Sequence, residues 1–142
     1  MKKESSIVLS IHPEYVKRIL SGEKRFEYRR KLPLISNTPY ILIYETSPIK
    51  KYVAIAEVLE RLIDTPEGLW ERTQHASGIS YNKYQKYFAN SCFAAAYKLG
   101  RIYRLPQNNL SFPIVQSYCY VSTSFVEGLI KEHNLSPLEF KE

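Results

Sequence analysis

The stretch from Pro13 to Arg29 changes its hydrophobic period midway, so no single regular element can hold both halves. Tyr15, Val16, Ile19 and Leu20 recur at the spacing of one helical face. Pro13 sits where a helix accepts proline, in the first turn, and Gly22 follows as a C-terminal stop. The spacing predicts a helix over Pro13–Ser21, with Glu14, Lys17, Arg18 and Ser21 on its polar side. After Gly22, Phe26 and Tyr28 alternate with Arg25, Glu27 and Arg29, which reads as a strand with two unlike faces.

The same punctuation organises the rest of the chain. Ser6–Ile11 reads as a first strand. Lys31–Pro39, with two prolines, reads as a loop. Tyr40–Tyr44 is a short apolar strand expected to be buried on both faces, and Lys51–Ile63 a long one. Pro66 opens a short helix through Arg72. Ser80 caps another, striped with Ile79, Tyr84, Tyr87 and Phe88. Cys92–Leu105 reads as a long strand, and Leu110–Tyr120 as a proline-marked crossing into a short strand. Phe125–His133 is an amphipathic helix, and Asn134–Glu142 a loosely packed tail. Strands outnumber helices and are not interleaved with long crossovers, which argues against a doubly wound parallel sheet. The expectation is an α+β domain built on a mixed or antiparallel β-barrel with flanking helices. Leu9, Ile11, Val16, Ile19, Leu20, Ile41, Ile43, Val53, Ile55 and Leu99 are expected in its core.

At 142 residues the chain is one domain's length, and 44% hydrophobic with 24% charged residues is a globular profile. The longest unbroken apolar run, Cys92–Tyr97, is too short to cross a membrane as a helix, and no signal-peptide apolar stretch follows the N-terminus. A cytoplasmic protein without a membrane partner is expected. Cys92 and Cys119 form no CxxC and are expected buried and reduced. His12, His75 and His133 have no metal-ligand spacing, so neither a metal nor a cofactor is expected. The phosphate-loop, dinucleotide, zinc-protease and Ser-hydrolase motifs are absent.

The net charge of +6 is unevenly placed. Residues 1–51 hold eleven Lys/Arg against five Glu, a balance of +6, while the remainder balances at nine against nine. A local excess favours an anionic partner such as nucleic acid or a phosphate-bearing ligand. Within it, Gly22, Lys24, Glu27 and Arg29 fit G-x-K-x-x-E-x-R. On a strand, Glu27 and Arg29 share a face and Lys24 stands at its start. A carboxylate flanked by cations can position a polar ligand, although an ordinary surface ion pair would give the same pattern. Twelve tyrosines add a second signal, because bases stack on aromatic rings, and Tyr28, Tyr44 and Tyr52 are nearest the motif.

These residues carry a resemblance. Leu9-Ser-Ile-His-Pro-Glu-Tyr15, Ile19-Leu-Ser-Gly-Glu-Lys24, Phe26-Glu-Tyr-Arg29, Tyr40–Tyr44, Thr46-Ser-Pro48 and Val53–Val58 resemble an ASCH domain, a branch of the PUA-like superfamily. Pro113–Tyr120, with Gln116 and Ser117, is similar to the single-domain bacterial members. The resemblance implies a small PUA-like barrel whose cleft binds RNA or a nucleotide-like ligand, lined by Lys24, Glu27, Arg29, Tyr44, Ser47 and Gln116. Some bacterial relatives deacetylate N-acetylcytidine with a lysine and a threonine three positions later. Here the lysine is Lys24, but Glu27 stands in the threonine's place. Glu27 can act as a general base on water, with Lys24 or Arg29 stabilising an oxyanion. Three readings follow: an RNA- or nucleotide-binding module, a small amidohydrolase acting on a modified nucleoside with Lys24 and Glu27 as its catalytic pair, or a protein-interaction domain.

Overall fold

A computed structural model describes residues 5–32, 37–112 and 118–140. In chain order the elements are β1 (Ser5–Ile11), α1 (Pro13–Ser21), β2 (Phe26–Arg29), β3 (Tyr40–Glu45), β4 (Lys51–Asp64), α2 (Pro66–Thr73), α3 (Tyr81–Tyr87), β5 (Ala94–Arg104), β6 (Tyr118–Ser122) and α4 (Thr123–Glu132). A single 3₁₀ turn, Gln74–Ala76, links α2 to the loop before α3. The period change at Gly22 is resolved as expected: α1 ends there with Gly22 in the left-handed region (φ 86°), and β2 begins four residues later.

The strands form one mixed sheet in the order β2-β5-β4-β3-β1-β6. β1 and β3 run parallel, and the other pairs are antiparallel. The expected closed barrel is corrected here, because β2 and β6 end the order and do not pair with one another among the described residues. β2 is a four-residue edge strand, and among the described residues its ladder is with β5 alone. The sheet nevertheless curls. Register shifts along β4, between Ala56 and Val58 and between Val58 and Glu60, bend the long β4–β5 ribbon. That curl brings β2 near β1, where Arg29 Nη2 donates to the Ser10 carbonyl (3.1 Å). One side-chain bond thus spans the seam that a barrel would close with backbone.

Three apolar clusters hold the layers together. Ile7, Leu9 and Ile11 alternate onto the inner face and meet Val16 and Ile19 of α1 beside Tyr97, Leu99 and Ile102. Val8, Leu42 and Ile55 face the other way, under Val126 and Leu129 of α4. There Ser6 Oγ and Thr123 Oγ1 satisfy each other at 2.8 Å, fully buried. Phe26 and Tyr28 of β2 pack on Leu69, Tyr84 and Phe88, which fastens α2 and α3 to the β2 end. Of the expected core, Leu20 and Val53 are only partly buried.

Two local expectations are corrected. The tail is tied down, because the Leu138 N–H donates to the Ile102 carbonyl (2.7 Å) and Leu138 and Phe140 pack on the inner core. A Cβ at Gly22 would lie 2.6 Å from Phe140 Cγ, so only glycine admits that ring. Both cysteines are free, but neither is buried: Cys92 is exposed, since the strand begins at Ala94 and leaves it in the preceding turn, and Cys119 is half-buried on the edge strand β6.

Candidate functional site

The open seam is a cleft of about 1130 Å³. β1 supplies Ser10 and Ile11. The β1–α1 junction supplies His12, Glu14 and Tyr15, and the motif strand supplies Lys24, Glu27, Tyr28 and Arg29. Tyr44, Thr46, Ser47 and Lys50 line it from the β3–β4 side, and Lys83, Lys86 and Tyr87 from α3. Lys24, Glu27, Arg29, Tyr44 and Ser47 are therefore brought together. Gln116 lies outside the described residues.

Lys24 is 3% exposed, an unusual burial for an ammonium. Its Nζ donates to the Ser77 carbonyl (2.9 Å) and lies over the rings of Tyr28 (4.8 Å) and Tyr15 (5.4 Å). Among the described residues no carboxylate is within ion-pair distance of it, so two of its three N–H donors are unused. Burial pulls its pKa from 10.5 down to about 8. Glu27 opposes that shift, while Arg18 and Arg29 add to it.

The lysine is held from a distance in sequence. Three consecutive carbonyls of the turn after α2 accept from the segment around the motif. Ala76 accepts from the Arg25 N–H (2.9 Å), Ser77 from Lys24 Nζ, and Gly78 from Arg18 Nη1 (2.8 Å). Gly78 has φ 63°, and a Cβ there would sit 2.3 Å from Lys24 Cβ. The close approach of the turn to Lys24 therefore requires glycine.

Glu27 is 7% exposed and is paired with Arg29. Arg29 Nη2 and Nε both address Oε2, at 2.8 and 3.1 Å. Oε1 makes no hydrogen bond among the described residues and remains an open acceptor. Arg29 also holds the Ser10 carbonyl, so the same guanidinium orients Glu27 and bridges the seam. Opposite Glu27 on β5, Tyr97 is fully buried with its hydroxyl unpaired among the described residues, and burial raises its pKa to about 12. His12 caps α1 with its backbone and lies within reach of Thr46 Oγ1 (3.3 Å).

Among the described residues, seven cations line the cleft, namely Lys24, Arg29, Arg30, Lys31, Lys50, Lys83 and Lys86, against the two carboxylates Glu14 and Glu27. Five come from the basic first third, as its charge excess suggests. Lys83 and Lys86 come from the charge-balanced remainder and escaped sequence reading. The apolar stripe of α3 shows that these lysines are solvent-facing, but nothing local shows that the stripe docks on Tyr28. Tyr52, expected near the motif, packs instead between Tyr44 (5.0 Å) and Phe112 (5.3 Å).

Fold and site together define an α+β domain with an open mixed sheet and a basic, tyrosine-lined cleft at its seam. Comparison with known proteins places it further. The ASCH domain family matches residues 9–102, about two thirds of the chain, and the chain belongs to that family. An ASCH domain-containing ribonuclease of Zymomonas mobilis subsp. mobilis is 34% identical over 92 residues, which are 65% of this chain and 62% of that protein. The match thus spans less than two thirds of that relative's length. The crystal structure of ASCH from Zymomonas mobilis superposes with a TM-score of 0.79 at 27% identity, over 94% of this chain and 98% of that one. A Ser-to-Ala mutant of the same protein gives 0.80 at 26% identity, over 96% and 100%. Among the described residues, no helix is long and apolar enough to cross a membrane.

Proposed function

We propose that the chain binds RNA or a nucleotide in the cleft between β1, β2 and α3, with Lys24 and the Glu27–Arg29 pair at its floor. The observation that carries this reading is the burial of Lys24, with unused donors, inside a cleft rich in cations and tyrosines. A buried ammonium costs stability, and an anionic or carbonyl oxygen arriving beside it offsets that cost. The open Oε1 of Glu27 accepts from an N–H on a base edge, Tyr15 and Tyr44 line the cleft as aromatic surface, and the rim lysines attract phosphates. The similarity to a protein named as a ribonuclease supports an RNA ligand.

The test is anisotropy of labelled single-stranded RNA across a salt series. Affinity should fall steeply with salt as counterions are displaced. Lys24→Ala with Arg29→Ala should weaken binding at least tenfold more than Lys98→Ala with Lys131→Ala, which alter exposed lysines outside the cleft. Equal losses would mean diffuse attraction and no site. RNA binding that an acidic protein displaces at equal charge would favour the protein-interaction reading.

The relative's name and the lowered pKa of Lys24 favour a second reading, cleavage of the bound strand. A 2′-hydroxyl would attack the adjacent phosphorus while the 5′-oxygen leaves. Glu27 would take the hydroxyl proton, and the Lys24 ammonium would give one to the leaving oxygen or stabilise the phosphoryl charge. Amide hydrolysis on a modified base would use the same two groups, with water in place of the 2′-hydroxyl. Glu27→Gln should abolish turnover and keep binding within a few-fold. Unchanged turnover in that variant would remove Glu27 from the chemistry.

A further inference from the structure

Arg30 and Tyr87 form a cation–π pair on the rim of the cleft, beside the Lys24 floor. Arg29, the last residue of β2, turns into the seam, and Arg30, just beyond the strand, reaches α3. Its guanidinium lies 4.5 Å above the Tyr87 ring centroid. The ring is braced from behind: Tyr87 meets Phe88 edge-on at 4.8 Å, and Phe88 is buried against Tyr84 and Tyr28. Arg30 is exposed, so the guanidinium that lies over Tyr87 remains accessible to solvent. Lys31 and Lys86, both exposed and outside any ion pair among the described residues, flank the pair. The cleft volume, about 1130 Å³, exceeds the roughly 300–1,000 Å³ typical of a site for one small ligand.

On the reading of the cleft as a nucleotide site, we infer that Arg30 on Tyr87 is a second stacking subsite, taking the base next to the one held over Lys24. The ligand is then a strand of at least two nucleotides, and a free nucleoside fills only half the site. A planar guanidinium with one face on an aromatic ring presents the other to a base, extending a column anchored in the α3 core. Stacking tolerates any base, so the subsite reads strand continuity and not sequence.

The experiment compares a uridine monophosphate with the dinucleotide UpU, each carrying one phosphorus, by calorimetry against the folded full chain. The wild type should bind UpU about 10-fold or more tighter, within the roughly 5- to 150-fold that one stacked base contributes. Arg30→Lys keeps the charge and removes the plane, while Tyr87→Ala removes the base of the column. Each should bring the UpU advantage to within about twofold of one. A wild-type advantage near one, or an advantage that survives in both variants, overturns the subsite. Failure of the wild type to bind either compound, or any longer RNA, overturns the nucleotide reading itself and the subsite with it.

Discussion

Lys24 should make the protein gain stability as pH rises from 8 towards 10, against the usual trend of an alkaline titration. Its folded pKa of about 8 lies below the unfolded value of 10.5. Between those values the unfolded chain binds the proton and the folded chain has released it, so stability rises with pH. Below about pH 8 the full cost of the buried ammonium is present. It is relieved progressively above that, until the unfolded lysine also deprotonates near 10.5. At pH 10 the accumulated difference is close to two pKa units, or about 2–3 kcal/mol. With a urea dependence of about 1–3 kcal/mol per molar, the midpoint should move by roughly 0.7–3 M. Tyr28 works in the opposite sense only higher up, since burial raises its pKa from 10 to about 12. The assay is urea unfolding at pH 7, 8, 9 and 10 for the wild type and Lys24→Met. The wild-type minus variant difference cancels other titrations and should shift in favour of the wild type by that amount. A difference that stays flat from pH 7 to 10 would refute the argument that burial poises Lys24 near neutrality.

Gly78→Ala forces a left-handed alanine, which costs about 1–2 kcal/mol, and crowds Lys24 Cβ, which costs about 1–3 kcal/mol more. Calorimetry should show Tm lowered by roughly 5–15 °C, and the pH dependence above should move; an unshifted Tm would mean that the turn yields freely. Ser6→Ala strands the buried Thr123 hydroxyl and should cost about 1–3 kcal/mol in urea midpoints, most of it recovered when Thr123→Val removes the partner too. Thr65→Ala removes the acceptor that caps α2 at the Gly68 N–H (3.1 Å) and should cost about 1 kcal/mol by the same measurement.

Local elements were readable because their signals are local. Pro13 and Gly22 bracket α1, and Ser80 caps α3 by accepting from the Lys83 N–H as its position suggests. Sheet order was not readable, because β2 pairs with β5 and lies far from β1 in the ladder, and no periodicity encodes a partner. That is also why a barrel was expected where an open seam exists. Glu27 and Arg29 were legible as a pair through period two. The burial of Lys24 was not, because the carbonyl that receives its ammonium is 53 residues away. Tyr15 has the spacing of an apolar helix position and nothing more, yet its ring lies under the Lys24 ammonium.

The three carbonyls of residues 76–78 give that separation a wider meaning. The motif supplies the ammonium and its charged neighbours, and the turn packs over it and receives it, adding to the burial that lowers its pKa. Two chains with identical G-x-K-x-x-E-x-R segments can therefore titrate in different ranges if their turns differ. The motif transplanted onto another strand would carry the side chain without its acidity. In this fold the acid–base character of the site draws on the turn after α2 as well as on the motif, and a change in that turn alters the property while leaving the motif intact.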